Sequence, residues 1–259
     1  MGRAILQGLS SFYPKEYLLS CDLLEESRKF SESLGVRSFK EAKNLAERVD
    51  FLILAVKPKE ALGVLGEISE KMDNSKVLLS IVAGLPTQKI SQALGENGRI
   101  LRAMPNLPLL IGEGAIGLCR GPRAEEEDLA FAKSLFSNLG EVVEVRESLM
   151  DAVTALSGSG PAYFALFIEA MIDGGVRMGL SREEALKLCV KTALGTAKMI
   201  LQGVHPALLK EEVMSPGGTT AEGIYILELK GVRGAIMEAL FKAMLKAMEL
   251  SDEGKDLRR

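Results

Sequence analysis

The sequence lacks the residue patterns of several functional classes. Its only histidine, His205, precedes Pro206 in a predicted turn, so we do not expect catalysis by an imidazole. Its three cysteines are widely separated and form no CxxC pair, which favours buried thiols in a reducing compartment over disulfides or a zinc site. No apolar run reaches the ~18 residues of a membrane span, and the N-terminus lacks a signal-peptide layout. We therefore predict a cytoplasmic protein that binds neither a metal nor a membrane.

Neither sign of charge is in excess. The chain has 32 Lys and Arg against 35 Asp and Glu, which gives a formal net charge of −3. This balance gives no bulk attraction to nucleic acid or to an anionic membrane. The expected partners are therefore a small-molecule substrate and further copies of the same chain. With 259 residues, the chain is long enough for two domains.

Residues 1–148 alternate short β-rich runs with longer helical stretches. The predicted strands span 17–22, 51–56, 76–83, 99–104, 114–119 and 141–145. The predicted helices between them span 23–34, 41–48, 59–72, 87–95 and 124–139. Several strand runs are apolar on both faces, which is typical of parallel strands covered by helices. The alternation predicts an α/β fold with a doubly wound, Rossmann-like parallel sheet.

Residues 149–259 are predicted to be almost entirely helical. The predicted helices span 151–178, 182–203, 207–214 and 219–250, with apolar residues recurring at spacings of three and four. The Met-rich segment FKAMLKAMEL fits either an ordinary helical core or an oligomer interface. The final segment SDEGKDLRR is predicted to be a charged, frayed tail.

The first helix, over residues 2–9, has no Ser, Thr, Asp or Asn ahead of it as an N-cap. In a dinucleotide-binding fold, a glycine-rich turn joins the first strand to the first helix, and an acidic residue roughly 20 positions later binds the ribose. Gly2 and Asp22 have that spacing. The strand itself and the first two glycines are not in the sequence, so we expect a Rossmann-like fold whose N-terminal strand is missing.

Five further motifs follow in order: LAVKP (54–58), SIVAG (80–84), RAMPNLP (102–108), DAVTALSGSGPAY (151–163) and SPGGTT (215–220). The first three end predicted strands at the edge where open α/β sheets bind ligands. The last two bring small residues and hydroxyls into the helical region. Together the five motifs resemble the pyrroline-5-carboxylate reductase family along nearly the whole chain.

The resemblance implies a fold, an activity and an assembly. It implies a dinucleotide-binding domain over 1–148 and an all-helical dimerisation and substrate-binding domain over 149–259. It implies reduction of 1-pyrroline-5-carboxylate to L-proline by hydride transfer from NADPH or NADH, in a homodimer or a larger homo-oligomer built from dimers. The family's first turn has the form G-A-G-N-M-G, and Met1 and Gly2 match its last two residues.

The resemblance also assigns roles to individual residues. The coenzyme-binding residues that it implies are Gly2, Asp22, Asn44, Val56, Lys57, Pro58, Ala83, Met104 and Asn106. The substrate-binding residues that it implies are Ser159, Ser215, Gly217, Gly218, Thr219 and Thr220. Thr220 matches the family residue placed against the ring nitrogen and is the catalytic candidate. Leu107 departs from the Thr that is more usual at its position.

For two of these motifs, the residue types alone also predict a local structure. Residues 215–218 predict a turn that opens a helix, whose first unpaired amides and positive dipole end suit a carboxylate. The alternative is a plain N-cap turn. In SGSGPAY, two glycines and a proline predict a break in the helix. That break fits either a substrate site or a kink without function.

Two other functions remain open at this point. Without its first strand, the chain fits a non-catalytic homologue whose helical domain serves only assembly. A related β-hydroxy acid dehydrogenase pairs a similar sheet with a helical domain, although the helical region here offers no strong candidate for the lysine such enzymes use as an acid.

Overall fold

The computed structural model describes residues 1–251 and divides the chain into two compact units. Unit 1 contains Met1–Ser159 together with the residues from Lys242 onward, and unit 2 contains Gly160–Phe241. These units describe packing within a single chain, so the division into domains 1–148 and 149–259 stays a prediction. Residues 252–259 of the predicted charged tail lie outside the described part.

The strands of unit 1 are short. They are β1 (Leu19–Cys21), β2 (Arg37–Phe39), β3 (Phe51–Leu54), β4 (Val77–Ser80), β5 (Arg99–Met104), β6 (Gly114–Arg120) and β7 (Gly140–Glu144). Each overlaps a predicted strand except β2, whose sequence RSF contains no apolar run. The sequence therefore located the strands that lie in apolar runs and missed the polar strand β2.

The helices also follow the predicted order. They are α1 (Gly2–Leu9), α2 (Glu25–Ser33), α3 (Ala42–Ala46), α4 (Pro58–Ile68), α5 (Thr87–Ala93), α6 (Glu126–Ser137), α7 (Met150–Val153), α8 (Gly160–Arg177), α9 (Arg182–Leu201), α10 (Pro206–Val213), α11 (Thr219–Leu229) and α12 (Val232–Ser251). The sequence predicts one continuous helix over 219–250, but Gly231 adopts φ +68° and separates α11 from α12. A glycine in this left-handed conformation ends a helix at little steric cost.

The strands form two sheets. β1 pairs with β2 in parallel, and the second sheet has the order β3-β4-β5-β6-β7. In that sheet β5 and β6 run antiparallel, with Leu101 opposite Arg120, and the other pairs are parallel. The prediction of parallel pairing was wrong at this pair. Residues 105–113 hold only a short 3-10 helix, and a parallel return needs a crossover of about a dozen residues or more.

No strand among residues 1–251 bridges the two sheets, so β1 and β3 each keep one unpaired edge. α1 begins directly at Gly2, and no side-chain hydrogen bond caps it at Met1. A Cβ added to Gly2 would stand 3.0 Å from the Cβ of Ala55, which follows β3. The helix therefore starts at the sheet edge where β3 ends.

Helices cover both faces of the five-stranded sheet. On one face, Leu79 of β4 belongs to a buried cluster with Ile5 of α1 and Phe136 of α6. On the other face, Leu78 belongs to a second buried cluster with Ile90 of α5. Neighbouring residues of a strand point to opposite faces, so β4 contributes to both clusters. This arrangement confirms the predicted doubly wound, Rossmann-like layer order.

Unit 2 buries few apolar side chains. Its described cluster of buried apolar residues joins Ile172 of α8 to Ala185 and Cys189 of α9. The large apolar side chains that are more than half exposed are Phe164, Leu166, Met171, Met178, Leu188, Leu201, Leu208, Val213, Tyr225, Leu229, Met237 and Phe241. Contiguous apolar surface on this scale is typical of a protein interface.

One continuous helical segment, residues 147–177, is long and apolar enough to cross a membrane by length and composition alone. Its most apolar 18-residue window has a mean hydropathy of 1.2, and 17% of that window is buried. Polar and charged residues divide this segment into short apolar runs, so the sequence pattern did not predict it. An interface between subunits accounts for the same exposed apolar surface, and the absence of membrane binding stays a prediction.

Candidate active site

The carboxyl ends of β3, β4 and β5 meet at one edge of the sheet because these strands are parallel. Val56, Ala83 and Met104 follow or end these strands and are half-buried at that edge. Lys57 and Pro58 are exposed at the start of α4, where Pro58 occupies the first turn. Three separate loops thus present predicted coenzyme residues at the same edge.

Lys57 lies where an anion is favoured. It immediately precedes α4, whose N-terminal end carries a partial positive charge. Pro58 fixes its own φ and so sets the direction in which α4 begins. The exposed ammonium and the helix end can together hold a phosphate group.

Asp22 lies directly after β1 and is half-buried. Its Oδ1 accepts a hydrogen bond from the N–H of Leu24 at 2.8 Å, which fixes the carboxylate at the strand end. Arg28 of α2 donates from Nη1 to the carbonyls of Asp22 and Leu23 at 2.8 and 2.7 Å. A carboxylate suited to ribose hydroxyls therefore stands beside a guanidinium suited to a phosphate.

Asn44 lies in α3, where its Nδ2 donates to Oε2 of Glu41 at 3.1 Å. Its side chain is half-buried, so part of the amide remains accessible. Nothing in its contacts joins it directly to the loops after β3, β4 and β5. Its predicted place near the adenosine half of the coenzyme stays a prediction.

The sequence predicts that the motif SGSGPAY breaks its helix. In the structure the motif instead lies in a widened stretch of a continuous helix. Residues Thr154–Gly158 form a π-helical turn between α7 and α8, and the N–H of Ser159 donates to the carbonyl of Thr154 at 2.9 Å. A single π-helical turn within an α-helix is frequently found at a functional site. Ser159 ends this turn and is half-buried.

The motif SPGGTT forms the predicted turn at the start of α11. The N–H of Gly218 donates to the carbonyl of Ser215 at 3.0 Å, and Gly217 adopts φ +66°. A Cβ on Gly218 would collide with Oγ of Ser215 and crowd the Ser215 carbonyl oxygen at 3.1 Å, so glycine favours this close turn. No side chain caps α11, which leaves the amides next to Thr219 and Thr220 without a capping partner.

A buried polar cluster in unit 1 was missed by the sequence analysis. Arg102 of β5 is 5% exposed, and its guanidinium lies 3.5 Å from Oε1 of Glu147 and 3.9 Å from Oδ1 of Asp151. Thr87 donates to the Glu147 carboxylate from its N–H at 2.7 Å and its hydroxyl at 2.6 Å. Because a buried charge needs a partner, Arg102, which stands between apolar residues in the middle of RILRAM, was the available signal.

Thiol and imidazole chemistry do not fit the described residues. Burial, reinforced by the Glu147 carboxylate, raises the pKa of Cys119 to about 11. Burial, reinforced by Glu67, raises the pKa of Cys21 to about 11. Since the thiolate is the nucleophile, neither cysteine is reactive at neutral pH. His205 caps α10, where its Nδ1 accepts from the N–H of Ala207 at 3.2 Å, which confirms the predicted turn role.

Comparisons with known proteins cover both units. The family described as pyrroline-5-carboxylate reductase dimerisation matches residues 147–250, and the family described as NADP oxidoreductase, coenzyme F420-dependent, matches residues 1–84. A pyrroline-5-carboxylate reductase of Methanosarcina acetivorans is 42% identical over 96% of this chain and 94% of its own length. One from Escherichia coli is 36% identical over 97% of this chain and 95% of its own length.

A solved structure shows the same architecture. The crystal structure of Plasmodium falciparum pyrroline carboxylate reductase with NADP bound matches with a TM-score of 0.88. It is 34% identical, and the match covers 97% of this chain and 95% of that one. The two proteins therefore share both the sheet unit and the helical unit. Their sequence identity is well above the level found between proteins that share only a fold. The chain belongs to the pyrroline-5-carboxylate reductase family.

Proposed function

We infer that this protein reduces 1-pyrroline-5-carboxylate to L-proline with NADPH or NADH, the last step of proline biosynthesis. The observation that carries this function is the extent of the identity: 42% over 96% of the chain, which includes both the sheet edge and the SPGGTT turn. A shared Rossmann-like sheet alone would support only a dinucleotide enzyme.

The residues at the sheet edge fit a nicotinamide coenzyme. Gly2 brings the start of α1 against Ala55 without a Cβ, and Lys57 offers a cation at the start of α4. Asp22 suits the ribose hydroxyls, while Val56, Pro58, Ala83 and Met104 lie at the loops proposed to border the nicotinamide half. Asn106, another coenzyme residue that the resemblance implies, is buried just after β5. When bound, the coenzyme supplies a hydride from C4 of its nicotinamide ring.

The turn that opens α11 is proposed to bind the substrate. The unpaired amides at Thr219 and Thr220 and the positive end of α11 suit the substrate carboxylate, while Gly217 and Gly218 allow close approach of the backbone. Ser215 and Ser159 add hydroxyls. The protein thus holds C5 of the cyclic imine in position to accept a hydride, and positioning of this kind accounts for much of the catalysis.

Thr220 is the proposed catalytic residue. The substrate is electrophilic once its nitrogen is protonated, so a hydroxyl that hydrogen-bonds to that nitrogen favours the protonated imine and can relay the proton. Hydride addition at C5 and a proton on nitrogen together convert the C=N bond into the C–N bond of proline.

The protein is a homo-oligomer, and we propose a dimer, or a larger assembly of dimers, formed through unit 2. The exposed apolar side chains of α8–α12 support this arrangement. The balanced net charge and the three unpaired cysteines support a cytoplasmic location.

The test is a coenzyme-oxidation assay with purified protein and 1-pyrroline-5-carboxylate, in which proline is identified as the product. A β-hydroxy acid is assayed in parallel with NAD⁺ or NADP⁺ as the hydride acceptor, and the reduction of the coenzyme is measured. Oxidation of the β-hydroxy acid without reduction of the pyrroline would contradict the proposal. If the protein binds neither NADPH nor NADH, the result would indicate a non-catalytic homologue.

A further inference from the structure

Pro161 leaves one helical carbonyl without its usual donor. In an α-helix the carbonyl of Ser157 accepts from the N–H of residue 161, but proline has no N–H and its ring collides with that carbonyl. The π-helical turn Thr154–Gly158 relieves this conflict because it widens the helix just before the proline. The Ser157 carbonyl then needs a donor from outside the helix.

Asn106 supplies that donor. Its Nδ2 donates to the carbonyl of Ser157 at 3.1 Å, and its Oδ1 accepts from the N–H of Ala115 in β6 at 2.9 Å. The side chain is 8% exposed, so both hydrogen bonds are made away from bulk water. One amide therefore connects the loop after β5, the start of β6 and the widened helical turn.

Close packing on both sides of Asn106 strengthens this connection. A Cβ added to Gly158 would lie 2.8 Å from Cε of Met104, and a Cβ added to Gly117 would lie 2.7 Å from Cγ1 of Val153. Gly117 thus lets β6 approach the helix closely, and Gly158 leaves room for the end of the Met104 side chain. Met104 and Asn106 hold the turn from the same loop.

We propose that Asn106 is a positioning residue for the substrate site rather than a coenzyme ligand: by replacing the hydrogen bond that Pro161 cannot make, it sets the position of the Ser157–Ser159 backbone. This inference rests on the proposed function, since it assigns Ser159 to the substrate. With one N–H and the Oδ1 already bonded to backbone groups and with little of its surface exposed, the amide has little left to offer a coenzyme.

The first test separates substrate from coenzyme. Asn106→Asp keeps an oxygen to accept from the Ala115 N–H but replaces the donor with an oxygen facing the Ser157 carbonyl. We expect kcat/KM for the pyrroline to fall roughly 10- to 100-fold, mainly through KM, because small displacements of positioning groups have effects of that size. The Kd of NADPH and NADH, measured by fluorescence, should stay nearly constant.

The matched control is Asn138→Asp. Asn138 also donates from Nδ2 to a helical carbonyl, that of Ser134 at 3.3 Å, but at the end of α6. This change should leave both KM and Kd unaltered. A coenzyme Kd weakened tenfold or more by Asn106→Asp, with an unchanged KM for the pyrroline, would assign Asn106 to the coenzyme and overturn the proposal.

The second test does not depend on activity. Pro161→Ala restores an N–H at residue 161, so the Ser157 carbonyl no longer depends on Asn106. In a double-mutant cycle, the fall in Tm caused by Asn106→Asp should be less than half as large in the Pro161→Ala background. Equal falls in both backgrounds would show that the two residues act independently. If the wild-type protein fails to reduce the pyrroline, the proposed function fails, and this cycle still decides the role of Asn106.

Discussion

The two units differ in where their apolar side chains lie. Unit 1 buries two extensive clusters, one on each face of its five-stranded sheet, with Leu78 and Leu79 both fully buried. Unit 2 has one small buried cluster around Ile172 and exposes side chains as large as Phe164 at 72% and Met178 at 81%. Since burial of apolar surface is the main source of stability, unit 1 is stabilised within its own chain, whereas we expect unit 2 to gain much of its stability from contact with a second chain.

The strongest test of this difference is to place charges on the exposed face of α8. Phe164 and Met171 lie two turns apart on one face of that helix and are 72% and 51% exposed. The double change Phe164→Asp with Met171→Asp should abolish assembly, because two carboxylates would have to be buried at the interface. Light scattering should then give the mass of one chain, and reductase activity should be lost.

The matched control is Leu62→Asp in α4 of unit 1, where the leucine is 57% exposed. This change should leave mass and activity as they are. A variant of α8 that remains oligomeric, or that is monomeric and fully active, would remove the distinction between the units.

The second test concerns the unpaired strand edges of unit 1. An extension of roughly ten residues before Met1, an apolar strand ending in G-x-G-x, should pair with β1 and β3 and present amides to the coenzyme pyrophosphate. Each newly paired buried amide or carbonyl is worth on the order of 1 kcal/mol, so Tm should rise by several degrees. Coenzyme affinity should rise with it.

The control is a Gly/Ser extension of the same length, which forms no strand. Thermal unfolding and coenzyme titration would be compared for the original and the two extended chains. Equal Tm, Kd and kcat in all three would mean that the open edges of β1 and β3 have no energetic consequence.

Substrate chemistry should depend on unit 2. Thr220→Ala should lower kcat roughly 10- to 1,000-fold, the range for one proton donor or oriented hydrogen bond, with little change in coenzyme Kd. Thr192→Ala is the control, because its hydroxyl only donates to the Leu188 carbonyl within α9. Unchanged turnover in Thr220→Ala would exclude this hydroxyl from the reaction.

Coenzyme preference should depend on unit 1. Asp22 at the end of β1 should bind both ribose hydroxyls and repel a 2′-phosphate, so NADH should be used at least as well as NADPH. Asp22→Ser should shift the ratio of kcat/KM about 10-fold towards NADPH, helped by the adjacent Arg28 guanidinium. Asp50→Ser, at an exposed carboxylate of unit 1, is the control. A preference for NADPH that Asp22→Ser leaves unchanged would contradict this assignment.

The elements that the sequence predicts well are those with strong local patterns. The apolar runs of β3, β4 and β5 and the turn before α11 lie where they are predicted. The short polar strand β2 has no such pattern and forms because its backbone pairs with β1, from Leu19 opposite Arg37 onward. The antiparallel direction of β6 follows from the short loop before it, residues 105–113, and the bounds of the predicted strands already contained that length.

The site is predicted less completely than the fold, for a physical reason. Residue types show that Asn106 and Pro161 belong to motifs, but only the folded chain shows that the amide of one replaces the missing N–H of the other through Ser157. The ion pairs of Arg102 are also visible only in the folded chain, because its partners Glu147 and Asp151 come from a distant part of the sequence.

The contacts at the C-terminal end of α12 determine when unit 1 can finish folding during synthesis. Lys89 donates to the carbonyl of Ser251 at 3.0 Å across a sequence separation of 162 residues, and Ser251 donates to Asp151 at 3.1 Å. Gly84 adopts φ +71° against the backbone of Leu250, where a Cβ would lie 3.0 Å from its carbonyl carbon. On the ribosome, the N-terminal sheet therefore cannot acquire its last contacts until nearly the whole chain has been synthesised. Synthesis that stops before α12 yields a sheet unit with an uncovered surface, even though every strand is already present.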